Sequence, residues 1–320
     1  MTVSVIIRAY ADERWDGLVG AVASLDAQTR RPDQVVLVVD HNPALLARGR
    51  EAFPDATVVV SAVRGASGGG NAGLSNATGE IVAFMDDDAV AEPTWLERLL
   101  APYRDAHIAG VGGKIVPRWV TGAPEWFPEE FHWVVGCSYR GLPEQRAPVR
   151  NLIGCNMSFR REALERIGGF REKEGLGHAG ARPVGGEETE LCIRLRQREP
   201  SAVLLHEPAA VVHHTVPEGR ARFAYFLRRC AAEGRSKAAI SRLSGARDGL
   251  SSEGAYVARV LPSGVGRGIT DGLRGDLGGI RRSGAIVAGL ATTAGTYLAA
   301  RADGAIAARR AGRTAETGPS

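Results

Sequence analysis

The stretch Glu80-Ile81-Val82-Ala83-Phe84-Met85-Asp86-Asp87-Asp88 decides how this chain is read. Its apolar run is short, continuous and bounded by polar residues. Such a run fits a strand covered on both faces, which implies a parallel sheet with crossover helices. In sheets of that kind ligands sit at the carboxyl ends of the strands, and here that end carries three adjacent carboxylates. Three neighbouring negative charges repel one another and raise at least one pKa unless a cation shares the site. A hard divalent cation, Mg²⁺ or Mn²⁺, removes the conflict and completes its shell with phosphate oxygens. The competing reading is an acidic turn opening a helix over Thr94–Leu100, because helix N-termini favour aspartate.

Working outward, three more runs of the same kind occur at Val3–Arg8, Gln34–Val39 and Thr57–Val60. Between the first two, Gly17–Gln28 has helical spacing through Leu18, Val22 and Leu25. The polar residues just past each run, Tyr10, Asp12, Asp40 and Asp86–Asp88, are therefore the ones placed to meet a ligand. From about 110 to 220, Gly, Pro and aromatic residues interrupt shorter elements. Arg160–Ile167 and Glu188–Arg198 read as helices, and Gly168-Gly169 stops the first of them.

The 320 residues are 44% apolar and 24% charged, an ordinary globular composition. Cys137, Cys155, Cys192 and Cys230 lack metal-type spacing and read as reduced thiols of a cytosolic protein. The N-terminus shows no secretory signal. Charge is unevenly divided. Residues 1–219 hold 23 Lys/Arg against 29 Asp/Glu, whereas 220–320 hold 17 against 7. A basic tail of this kind suits an anionic membrane surface or simple solvation better than nucleic acid, since no nucleic-acid module is present.

Taken together and in order, the motifs resemble those of family 2 glycosyltransferases of the GT-A fold. They are Arg8-Ala9-Tyr10, Val38-Val39-Asp40, the glycine-rich Ser67–Gly73 with Asn71, Ala77-Thr78-Gly79-Glu80, Asp86–Asp88, Gly154-Cys155-Asn156, Ile167-Gly168-Gly169-Phe170, Gly186-Glu187-Glu188 and Val212-His213-His214. The resemblance implies an α/β fold, a Rossmann-like, mostly parallel sheet flanked by helices. A catalytic domain would span 1–219, with a nucleotide-binding half to about 110 and an acceptor half after it. A basic helical extension would follow over 220–312, then a disordered tail, 313–320.

It also implies roles. Tyr10 and Asp40 would contact the base and ribose of a nucleotide-sugar donor, and Asn71 its diphosphate, although Gly70 stands where the family often has arginine. Asp86 would lie near the ribose and reach the metal, Asp88 would hold the Mn²⁺ or Mg²⁺, and Asp87 would sit between them. His214, rather than His213, would complete metal or diphosphate binding. Gly113, Lys114 and Asn156 would shape the donor-sugar pocket. These enzymes invert the anomeric centre, so a carboxylate must take the acceptor proton; the pair Glu187-Glu188 offers it, with Glu188 as the expected base. The stretch Pro124–Trp133 and the following Gly136–Pro143 are similar to archaeal enzymes that add glucuronate to polyprenyl-phosphate-linked glucose. The acceptor would be a glycan, a lipid-linked sugar or a small molecule. The rival readings are a sugar nucleotidyltransferase and an inactive sugar-nucleotide-binding protein. Residues 8–14 lack the glycines that the first of these requires.

The aromatic residues of Pro124–Trp133 suit either sugar stacking or core packing. In the tail, Ser283–Ala300 carries no charge. Ile286, Val287, Leu290, Tyr297 and Leu298 fall within an arc of about 120° on a helical wheel, the pattern of a helix lying on a surface. A cytoplasmic protein held peripherally at the membrane is the resulting expectation.

Overall fold

The computed structural model describes residues 1–172, 185–245 and 253–316, with side chains to 304. The described residues form two compact units, 1–124 with 129–172 and 187–221, and 125–128 with 185–186, 222–245 and 253–316.

In the first unit, strands β1 (Val3–Ala9), β2 (Gln34–Val39), β3 (Thr57–Val60) and β4 (Ile81–Asp86) are mutually parallel in the order β3-β2-β1-β4. Helices α1 (Trp15–Asp26), α2 (Pro43–Ala52) and α3 (Ala66–Asn76) make the crossovers. Val3, Val5, Ile6 and Ile7 are all wholly buried. This is why β1 reads as a continuous apolar run instead of alternating. Beyond β4 the sheet becomes mixed. β8 (Asn156–Arg160) runs antiparallel to β4, then β6 (Ile108–Trp119) antiparallel to β8, and β9 (Val203–Val216) parallel to β6. Helices α4 (Trp95–Leu100), α5 (Arg161–Ile167) and α6 (Glu187–Arg198) complete the unit.

Two details depart from the sequence reading. Asp88 does not open a helix: β5 (Ala89–Ala91) follows it and pairs antiparallel with β9. The glycine-rich segment lies inside helix α3, although each glycine there costs roughly 1 kcal/mol against alanine. Packing explains the composition. A Cβ on Gly68 would stand 2.0 Å from the Val63 carbonyl oxygen, and one on Gly73 would stand 2.4 Å from Ile6. At Gly70, where the family often has arginine, the Phe170 ring already occupies the space, 2.8 Å from a Cβ.

In the second unit, Trp126 and Phe127 pack edge-on against Phe226 at 5.6 and 5.5 Å between ring centroids. Phe127 is buried, and in the first unit so is Phe131, so these rings of the aromatic stretch are core cover. The rest of the unit is helical: α7 (Phe223–Ser244), α8 (Leu261–Leu273) and α9 (Leu277–Glu316). Helix α9 carries through the first four residues of the stretch expected to fray, and 317–320 lie outside the described residues.

The expected one-sided stripe of α9 is divided. Ile286 is buried at 2% exposure, whereas Val287 and Leu298 are open at 57% and 64%. Packing against α7 and α8 claims one edge of the arc and leaves the other outside. By length and composition alone, Leu277–Gly304 could also cross a membrane.

Candidate active site

The parallel register of β1 and β4 sets Arg8 beside Asp86, and Arg8 Nη2 lies 3.0 Å from Asp86 Oδ1. Burial disfavours the guanidinium charge, but Asp86, Glu187 and Glu188 outweigh it and hold its pKa above the usual value. The carboxylates opening α6 therefore share an electrostatic neighbourhood with the aspartate turn. Arg8 was quoted in the sequence as part of a motif but given no role. Its position opposite Asp86, at the same distance along a parallel strand, was the available signal.

The three aspartates diverge. Asp87 is 1% exposed and turns inward, with Arg14 Nη1 2.6 Å from its Oδ1. Burial pushes its carboxyl up to about 7, with the neighbouring Asp88 and Asp86 charges adding to the rise and Arg14 opposing it. Asp87 is therefore a buried partner of Arg14. Gly17 permits this approach, since a Cβ there would stand 2.9 Å from the Asp87 carbonyl oxygen. Asp88 faces the other way. Arg14 Nη2 lies 3.1 Å from its Oδ2, and His214 Nε2 lies 3.1 Å from its Oδ1. Burial would raise the Asp88 pKa, but His214, Arg14 and Arg220 hold it below the usual carboxylate range.

The pairing of β5 with β9 brings His214 to this point, placing it opposite Ala89 while the Thr215 amide donates to the Asp88 carbonyl (2.9 Å). Strand alternation sends His213 to the opposite face. There its Nε2 meets Glu92 at 3.0 Å, and it is far more exposed than His214. Behind His214, the Cys137 sulfur lies 3.8 Å from Nδ1.

Donor atoms of Asp86, Cys155 and His214 lie within 4.8 Å of one another. Asp88 Oδ1 is buried and, its ion-pair contact with His214 aside, accepts no hydrogen bond. A cation would satisfy that oxygen. Carboxylates and imidazole suit Mg²⁺ or Mn²⁺, so Asp86, Asp88 and His214 fit the implied metal. Burial, reinforced by Asp86 and Asp88, pushes the Cys155 thiol well above its usual value, and Mg²⁺ and Mn²⁺ prefer oxygen and imidazole donors to a soft thiolate.

Next to the turn, Tyr10 and Asp40 sit at the carboxyl ends of β1 and β2. Tyr10 is 55% exposed, with the Arg14 guanidinium 4.9 Å from its ring centroid. Asp40 Oδ2 accepts from the Gly65 amide (2.9 Å), and its Oδ1 lies 2.6 Å from His41 Nδ1. Glu187 and Glu188 occupy the first turn of α6, half-buried. Lys114 lines a cavity of ≈ 520 Å³ with His132, Tyr139, Arg140 and His206.

Other expected contacts are already committed within the protein. Asn71 Oδ1 accepts from the Phe170 amide, and its Nδ2 donates to the Phe170 carbonyl and to Glu172, each at 2.8 Å. Its side chain ties α3 to the loop after α5. A Cβ on Gly113 would stand 2.0 Å from the Ala210 carbonyl oxygen and 2.3 Å from Asn156 Nδ2, so this glycine answers to packing.

Asn156 is wholly buried. Trp95 Nε1 donates to its Oδ1 (2.8 Å), and its Nδ2 donates to the carbonyls of Lys114 (3.0 Å) and Ala210 (2.9 Å). These bonds brace β8 against β6 and β9. Asn156→Ala would strand three buried polar groups, and a loss of about 2–4 kcal/mol is expected. A lowered urea midpoint with donor KM unchanged in the folded fraction checks this. A raised KM at unchanged stability would return Asn156 to the pocket.

Known proteins resemble this chain in sequence and in fold. The glycosyl transferase family 2 model matches residues 4–168. Over 248 residues the chain is 38% identical to glucosyl-dolichyl phosphate glucuronosyltransferase of Haloferax volcanii, covering 76% of this chain and 78% of that protein. The succinoglycan biosynthesis protein ExoM of Rhizobium meliloti is 32% identical over 160 residues, 50% of this chain and 47% of that one. Among solved structures, a Pyrobaculum calidifontis mannosyltransferase in complex with GDP-mannose and Mn²⁺ matches with a TM-score of 0.56 at 18% identity, covering 91% and 86%. That likeness gives the fold: GT-A, a mixed sheet flanked by helices.

Proposed function

The chain belongs to glycosyltransferase family 2, and from that premise we propose that it transfers a sugar from a UDP-linked donor, with inversion, to a hydroxyl of a lipid-linked sugar. The observation that supports the reading is that donor atoms of Asp86, Cys155 and His214 lie within 4.8 Å of one another, with Asp88 against His214 and Tyr10 and Asp40 at the neighbouring strand ends. Tyr10, Asp40 and Asp86 sit at the carboxyl ends of β1, β2 and β4, where ligands of α/β sheets bind, and β9 brings His214 to the same turn. Tyr10 offers an exposed ring to the base and Asp40 a carboxylate to the ribose. Asp86, Asp88 and His214 would hold the divalent cation. When bound, it neutralises charge on the leaving diphosphate.

The chemical step is a single displacement. The acceptor oxygen attacks the anomeric carbon, the bond to the diphosphate breaks, and its electron pair leaves with the phosphate. The hydroxyl proton passes to Glu188. The lipid-linked acceptor and a glucuronate donor are suggested by the Haloferax relative. We place the enzyme at the cytoplasmic membrane face, where such an acceptor is presented.

A donor panel tests the reading. With Mn²⁺ and a polyprenyl-phosphate-linked glucose, nucleotide release is expected from UDP-glucuronate or UDP-glucose and is expected to stop on chelation. Release of pyrophosphate from a sugar phosphate and a nucleoside triphosphate, with no sugar transfer, would overturn it.

A further inference from the structure

The outer face of α9 and the turn joining it to α8 form an exposed apolar surface within the second unit. At about 100° per residue, Ile280, Gly284, Val287, Ala291, Ala294 and Leu298 fall on one line of the helix, and every one is exposed. The line runs for about 27 Å at 1.5 Å per residue. At its start, Leu273 is 84% and Leu277 68% exposed, which makes the hairpin tip the most exposed apolar feature of the described residues. An exposed patch of this extent marks an interaction surface.

The opposite face is already used. Ala285 and Ile286 are each 2% exposed, and a Cβ on Gly279 would stand 2.5 Å from the Gly268 carbonyl oxygen, so α8 and α9 are closed against each other. Crossing a bilayer would require breaking that packing, whereas lying on one requires no change.

Charge selects the occupant. Arg274 and Arg281 are exposed at one end of the line and Arg301 at the other, with one exposed aspartate beside each end, Asp276 and Asp303, and Glu125 3.6 Å from Arg281; the basic excess belongs to residues 220–320 as a whole, which carry 17 basic against 7 acidic side chains. A second copy of the chain would bring like charge to like. An anionic lipid surface complements both the apolar line and its basic ends.

We infer that Leu273, Leu277 and the Ile280–Leu298 line of α9 seat this protein in the interface of an anionic bilayer, with α9 lying along the surface. Insertion of the two leucines would set the depth, and the arginines would meet lipid phosphates at the boundary.

Sedimentation with phosphatidylcholine vesicles, with and without phosphatidylglycerol, tests this without donor or acceptor. Its failure would therefore leave the transfer reaction standing, and the reverse also holds. Binding at least about tenfold tighter to the anionic vesicles is expected, weakening with salt. Leu273→Asp with Leu277→Asp is expected to lose about tenfold or more of that affinity, and Val287→Asp separately a similar amount. All three positions are exposed, so the fold should persist, as circular dichroism would verify. Equal binding to both vesicle types, no binding to either, or undiminished binding by the variants would overturn the inference. So would extraction resistance to alkaline carbonate, which indicates a spanning helix, or a dimer in free solution that Leu273→Asp dissolves.

Discussion

Replacing Asp88 by alanine is expected to cut sugar-nucleotide turnover by about a thousandfold or more. Asp88 is the point at which the two halves of the site meet. One carboxylate oxygen lies against Arg14 and the other against His214, and the latter oxygen is buried with no hydrogen bond. Removing the carboxylate takes away the central oxygen donor of the candidate cation site while leaving the Arg14–Asp87 pair intact. Against the cost of burial, His214, Arg14 and Arg220 stabilise the Asp88 carboxylate, so its removal costs some stability, and circular dichroism must show the variant folded before its turnover is compared. In the folded variant the loss should appear as failure to bind Mn²⁺, measurable by paramagnetic resonance of free Mn²⁺. Turnover within tenfold of wild type would remove Asp88 from the site.

The second large effect is expected at the head of α6. Glu188→Gln preserves shape and hydrogen-bonding capacity but cannot take a proton, and a loss of about 10²–10⁴ in kcat is expected with donor affinity unchanged. Glu187→Gln is expected to do much less. The two residues are separable only by such a comparison, because both occupy the same helical turn and both act on Arg8. A neutral amide at either position also removes charge facing Arg8, so some change in donor binding from that source should be common to both variants. What distinguishes the base is a collapse of kcat confined to one. If Glu187→Gln collapses and Glu188→Gln does not, the assignment passes to Glu187.

The parallel half of the sheet was legible because the apolar runs of β2 and β3 coincide with their hydrogen-bonded extent, Gln34–Val39 and Thr57–Val60, even though β3, at the sheet edge, is only half-buried and Val60 is exposed. The aspartate turn was legible as a landmark, but its division of labour was not. Asp86, Asp87 and Asp88 are chemically alike, and only the β1–β4 register, the approach of α1 through Gly17 and the β5–β9 pairing send them to Arg8, Arg14 and His214 respectively. The same limit explains Asn71 and Asn156. An amide in a family motif looks like a ligand contact until its partners are known, and here those partners are Phe170, Glu172, Trp95 and two carbonyls.

Gly70 shows the converse. The missing arginine looked like a gap in diphosphate binding, and the structure fills the same space with the Phe170 ring. In the tail, periodicity located an apolar arc on α9 but could not say which edge of it faces inward. That depends on α7 and α8, which are distant in sequence.

Calorimetric titration of UDP into the wild-type protein, with Mn²⁺ present and with Mn²⁺ chelated, tests the assignment of the aspartate–His214 cluster most directly. Tight binding with metal, weakened at least about a hundredfold by chelation and equally by Asp88→Ala, is the expected result. Binding of the same strength with and without metal, or retained in full by Asp88→Ala, would contradict it.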